Sequence, residues 1–223
     1  MRFIPDPEAE ALRAYLATKL EGPVTLDLFT EPKPAIVIPG HTECRLCEET
    51  RALLEDVASL SDRIAVAVHD VRAGPERARE AGVSRVPTLV LRGAARGVVR
   101  YVGIPAGLEF ATLLDDLVAV SRGATTLGND SRTKLATLTG PVHVQVFVTP
   151  TCPYCPKVAS LAHQTAVESA HVTADVVDIS EFPDLAAHYH VHGVPKIVVN
   201  DTVELIGAQP EAAFVEALLE AAA

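Results

Sequence analysis

Two short runs of apolar and β-branched residues, Val24 to Phe29 and Val142 to Phe147, each follow a Gly-Pro pair and each predict a strand. A helical spacing then takes over in both places. It is carried by Leu46, Leu53, Leu54, Val57 and Leu60 in the first stretch, and by Val158, Leu161, Ala162, Thr165 and Ala166 in the second. Further strands are predicted over 64–68 and 172–177, running into Asp70 and Asp178, followed by short helices near 75–81 and 183–189. Hairpins pair 88–92 with 98–102 and 197–199 with 203–206, and helices over about 107–120 and 211–221 close the two stretches. An extra helix precedes each: 8–20 aligns Leu12, Leu16 and Leu20, and 131–138 leads into the second Gly-Pro.

The same order, strand, helix, strand, helix, strand, strand, helix, therefore occurs twice, and the numbering repeats with it. Cys44 and Cys152, Asp70 and Asp178, and Pro87 and Pro195 are each 108 residues apart, whereas Gly22-Pro23 and Gly140-Pro141 are 118 apart. The difference of ten places an insertion at about 31–40. Such an order forms a mixed sheet covered by helices on both faces, so the predicted class is α/β, with two tandem units each holding a four-stranded sheet. The polar, Gly-bearing stretch 121–130 sets the boundary, giving units 1–122 and 123–223.

Composition narrows the function. Hydrophobic residues make up 48% and charged residues 22%, as in an ordinary folded protein, and Lys plus Arg number 19 against 29 Asp plus Glu, a net charge of −10. No basic surface is available to neutralise phosphates, so nucleic acid is not an expected partner. No apolar stretch approaches the roughly 18 residues of a membrane span, so no membrane partner is expected either. The start, Met1 to Glu8, carries prolines and acids where a signal peptide is apolar, and the expected location is the cytoplasm.

The four cysteines form two pairs of identical spacing, Cys44-Arg45-Leu46-Cys47 and Cys152-Pro153-Tyr154-Cys155. Each pair is placed where a strand gives way to a helix. There the free N–H groups and the positive end of the helix dipole favour a thiolate on the leading sulfur. That thiolate attacks a substrate disulfide, and the second cysteine, one helical turn on, resolves the mixed disulfide. Cys152 and Cys44 are the expected attackers, Cys155 and Cys47 the resolving thiols. A four-cysteine zinc site would need its pairs about 15–20 residues apart, whereas 104 residues separate Cys47 from Cys152. A structural disulfide over a two-residue loop gains little loop entropy.

Val86-Pro87 and Val194-Pro195 stand 43 residues after the leading cysteines. One such proline alone could be an edge residue. Repeated at a fixed distance from a reactive dithiol, it suggests a cis bond facing the sulfurs, with the valine backbone pairing with an extended substrate segment.

On these residues each half resembles a thioredoxin-fold unit, and Cys152-Pro153-Tyr154-Cys155 resembles the glutaredoxin motif. The tandem arrangement resembles the protein disulfide oxidoreductases best known from thermophiles. A related arrangement is the N-terminal domain of the flavoprotein that reduces alkyl hydroperoxide peroxiredoxins. The resemblance implies dithiol–disulfide exchange on protein disulfides, cis prolines at Pro87 and Pro195, and no cofactor. It also implies a thioredoxin-reductase-like flavoprotein or a low-molecular-weight thiol as electron donor. The buried acid that thioredoxins carry six residues before the leading cysteine is replaced here by Val146, so proton handling must differ.

Along the chain the only charge near Cys152 is Lys157, while Cys44 has Glu43, Glu48 and Glu49 against Arg45 and Arg51, which makes Cys152 the expected better attacker. Pro153 and Pro156 fit a first helical turn, and Tyr154 is either a contact surface at the site's edge or a solvated spacer. His188, His190 and His192 read as loop residues rather than ligands, and Asp70 and Asp178 as caps. Two other readings stay open. One is a dedicated electron carrier from a flavoprotein reductase to a peroxiredoxin, and the other a non-catalytic redox-sensing or zinc-binding module.

Overall fold

The computed structural model describes residues 3–33 and 44–222. The insertion near 31–40 falls largely outside the described residues, as does Glu43. The first half comprises α1 (Asp6–Lys19), β1 (Val24–Thr30), α2 (Cys47–Ala58), β2 (Ile64–Asp70), α3 (Pro75–Glu80), β3 (Thr88–Arg92), β4 (Val98–Val102) and α4 (Glu109–Arg122). The second repeats it with α5 (Asn129–Leu135), β5 (Val142–Val148), α6 (Cys155–Glu168), β6 (Val172–Asp178), α7 (Pro183–His188), β7 (Lys196–Val199), β8 (Val203–Ile206) and α8 (Glu211–Ala222).

Each half contributes four strands with the same pairing: β1 is parallel to β2 and antiparallel to β3, β5 is parallel to β6 and antiparallel to β7, and a hairpin completes each set. The two sets are one continuous sheet, ordered β2-β1-β3-β4-β6-β5-β7-β8. The seam is a parallel pairing of β4 with β6, from Val98 opposite Thr173 to Val102 opposite Val177. Covered by helices on both faces, β1 and β5 are buried almost throughout, which is why their sequences read as near-continuous apolar runs. The final edge strand, β8, alternates between half-buried and exposed.

One apolar core runs through both halves on the face of α2, α4, α6 and α8, including Leu28, Leu54, Leu89, Leu117, Val146, Val158 and Phe214. The opposite face holds two smaller clusters that themselves repeat, Phe29 with Ala78 and Val90 under α3, and Phe147 with Phe182 and Val198 by α7.

The seam owes its closeness to Gly97. A β-carbon there would lie 2.2 Å from the carbonyl oxygen of Val172 and 2.4 Å from that of Ser169. Beside it the buried Arg100 makes a forked ion pair with Asp175, both contacts at 2.6 Å, and donates further to the carbonyls of Ala81 and Gly82. On the other face α4 packs on α6. His163 of α6 lies there between the Asp116 carboxylate (2.6 Å) and the Arg100 carbonyl (3.1 Å), while Tyr101 donates to the same carboxylate. Both ring nitrogens of this buried histidine face acceptors. Burial pushes its pKa down, but Asp116 and the Arg100 carbonyl outweigh that and hold it above the usual histidine value.

Candidate active sites

Both cysteine pairs are disulfide-bonded, with Cα atoms 5.6 Å apart for Cys44–Cys47 and 5.4 Å for Cys152–Cys155. In each the second cysteine is the first residue of a helix, α2 or α6, and the leading one stands just ahead of it. Cys155 is fully buried and Cys47 nearly so, Cys152 is 6% exposed, and Cys44 is half-buried. The first turn of α2 carries Glu48 and Glu49, whereas that of α6 has no acid, so the two leading sulfurs meet different fields.

The peptide bonds Val86–Pro87 and Val194–Pro195 are both cis. In the second unit this loop meets the dithiol, and the Cys152 sulfur lies 3.8 Å from the Val194 carbonyl oxygen. The prolines' carbonyls accept from Gly103 and Gly207 at the ends of the neighbouring hairpin strands. Val86 packs against the Phe29 cluster. Tyr154 stands at the N-cap position of α6, makes no capping side-chain bond there and is 66% exposed. Pro156 occupies the first turn of α6, but Pro153 does not, because the helix begins only at Cys155. His188, His190 and His192 are all exposed, and His188 packs edge-on against Tyr189. Asp70 and Asp178 end their strands and accept from the backbone two residues on, at Arg72 and Ser180, both at 2.8 Å.

The structure also gathers acids beside the turn that precedes Cys152, which spacing along the chain does not reveal. The loop after β4 is pinned to the turn before Cys152, since Leu108 donates to the Pro150 carbonyl at 3.0 Å and Gly107 sits against the same oxygen. The next residue, Glu109, is thereby delivered from the first unit into a cavity of about 10 Å³ lined with Tyr101, Val148, Pro150 and Asp178. Its carboxyl is buried and makes no hydrogen bond of ordinary length among the described residues. Burial pushes it up to about 7, with Asp116 and Asp178 adding to the rise against the pull of Thr112 and His163. Glu181 accepts from the Ile104 N–H at 2.6 Å and is likewise raised to about 7, first by burial and then by Asp178 and Glu49. No sequence signal could have placed Glu109 beside Val148 and Pro150, because it belongs to the other half of the repeat.

A thioredoxin-domain family model matches residues 142–220. Thioredoxin from Methanocaldococcus jannaschii is 36% identical over 78 residues, which span 92% of that protein and 34% of this chain. The chain belongs to the thioredoxin family. Its chemistry is accordingly dithiol–disulfide exchange, an oxidoreductase reaction. Among solved structures, this thioredoxin-family chain is similar over 98% of its length to a protein disulfide oxidoreductase from Aeropyrum pernix, with a TM-score of 0.86, 28% identity and 93% of that chain covered. It is also similar over 97% of its length to a domain of the alkylhydroperoxide reductase AhpF from Enterococcus faecalis, with a TM-score of 0.84, 25% identity and all of that domain covered. AhpF of Staphylococcus aureus is 24% identical over 69% of this chain, but the chain spans only 28% of that longer protein. No helix among the described residues is long and apolar enough to cross a membrane.

Proposed function

We propose that this protein is a two-site protein disulfide oxidoreductase in which Cys152 and Cys44 attack and Cys155 and Cys47 resolve. The observation that carries the reading is the contact of the Cys152 sulfur with the Val194 carbonyl at the cis-proline loop. It puts the leading sulfur beside a backbone segment along which an extended client strand can lie. In the reductive direction the Cys152 thiolate attacks a client S–S bond and expels one client thiolate, forming a mixed disulfide. Cys155 then attacks the Cys152 sulfur and releases the second client thiol. Two electrons pass to the client, and the Cys152–Cys155 disulfide is left to be reduced by a flavoprotein reductase or a small thiol. Glu109 serves as the acid–base group of the second site. A carboxyl poised near 7 can take the proton that a resolving thiol must lose.

The test is reduction of insulin with a dithiol donor. The Cys152→Ser variant is expected to lose most of the rate, and an unchanged rate would remove Cys152 from the mechanism. The likeness to AhpF favours a second reading, an electron carrier between a flavoprotein reductase and a peroxiredoxin. A peroxiredoxin reduced far faster than insulin would select it. The change from α4 to α5 across Gly123 supports dividing the chain into units 1–122 and 123–223. Dithiols that must be returned to the reduced state suit the cytoplasm.

A further inference from the structure

The two dithiols differ in what receives the backbone N–H of the attacking residue. At Cys152 it is a neutral group, the Thr149 carbonyl at 3.1 Å within the same turn. At Cys44 it is a charge, because the N–H donates at 2.9 Å to Oε1 of Glu31, the residue that follows the last of β1. Glu31 is only 8% exposed. A buried carboxylate is costly unless it is paired, and Arg72, just past β2, supplies the pairing with Nε and Nη2 at 3.1 and 3.0 Å from Oε2. One carboxylate oxygen thus holds the cation and the other holds the cysteine backbone. Where the ten-residue insertion separates strand from dithiol, this side chain does what a tight turn does in the second unit.

We infer that Glu31, clamped by Arg72, is a positioning residue that fixes Cys44 and makes Cys44–Cys47 the more reducing of the two pairs. A cysteine sulfur lies within about 3–4 Å of its own amide nitrogen by covalent geometry, so the carboxylate stands in the range where a like charge disfavours a thiolate. Among the described residues, the charges close to Cys44 along the chain are Arg45 beside it and Glu48, Glu49 and Arg51 in the first turns of α2. Reduction breaks the Cys44–Cys47 bond and takes two electrons and two protons from a dithiol, which closes its own disulfide. Cys44 then ionises. Whatever raises the cost of that ionisation shifts the exchange back toward the protein disulfide, so electrons placed on the first pair are passed on readily, to a client or to the second pair.

The inference rests on the proposed activity of the first site, and one experiment separates the two. The full chain is equilibrated at neutral pH in graded mixtures of reduced and oxidised dithiothreitol. Alkylation and peptide mass measurement then give the reduced fraction of each pair in the same molecules. In the unaltered protein Cys44–Cys47 is expected to need the more reducing mixture. Glu31→Gln is expected to shift its exchange constant toward the dithiol by up to about tenfold, the limit set by one pKa unit. Arg72→Gln, which takes the Arg72 cation away from the carboxylate, should shift it in the opposite direction, and Glu31→Asp should stay near the starting value. The Cys152–Cys155 equilibrium should hold in all three and so reports an intact fold. Equal potentials in the unaltered protein, or shifts of the same sign in Glu31→Gln and Arg72→Gln, overturn the inference while leaving the first site active. A first pair that never exchanges with dithiothreitol overturns the activity and the inference together.

Discussion

Glu109 shows what burial does to a single side chain. A carboxyl whose pKa is raised in the folded state is protonated there more readily than in the unfolded chain. The stability it confers is complete below its unfolded value of about 4.5 and is lost as pH climbs through about 7. By one pKa unit per 1.36 kcal/mol, the loss is on the order of 3 kcal/mol. Glu109→Gln, which keeps the shape and removes the titration, is expected to be more stable than the unaltered protein at pH 8 and about equal at pH 5, as read by denaturant midpoints. It should also slow insulin reduction through the second site about tenfold or more. A variant equally destabilised at both pH values would show that Glu109 is packing alone. The residues most legible in the sequence were those that repeat locally, the paired cysteines and prolines. Glu109 was not legible, since nothing in the spacing around Val146 says that a carboxyl from 43 residues upstream of Cys152, in the other half, comes to lie against Val148 and Pro150.

The elements themselves were readable because both periodicities are strong. The hairpin over 88–92 and 98–102 falls where the alternation places it, and the other strands and helices shift by only a few residues at their ends. What the pattern did not carry is the seam, for β4 and β6 look like strands of separate sheets until their pairing is seen. Gly97 reads as an ordinary turn glycine, yet it is a point where two backbones meet with no room for a β-carbon. Gly97→Ala is expected to destabilise the protein by about 2 kcal/mol or more, since the added methyl meets three carbonyl oxygens that belong to the backbone of α6 and its approach to β6. A chemical denaturation curve decides this, and a loss below about 0.5 kcal/mol would mean that the seam yields.

At the scale of the molecule, the two units share one sheet, one core and a buried polar joint. Asp175 is held below the ordinary aspartate range, because the His143 and Arg100 contacts outweigh the rise that burial alone would cause. Removing Arg100 takes away the forked pair and leaves that buried charge with the His143 contact. Arg100→Met is expected to cost about 3–5 kcal/mol, the penalty for breaking a buried pair from one side. The loss should fall on both halves together in one cooperative transition. Two separated transitions, one per unit, would show instead that the halves fold independently.

The sheet ends in β2 on one side and β8 on the other, the counterparts in the repeat of β6 and β4. In principle a third module, or a neighbouring molecule, could join there as the two halves join each other. Aligning the hairpins by their registers puts Asp201 where the seam has Gly97, and sets Glu204 opposite Ala67 where the seam has Arg100 opposite Asp175. A side chain fills the space that only hydrogen fits, and an acid faces no cation. A pairing of β8 with β2 would therefore lack both devices that close the seam between β4 and β6.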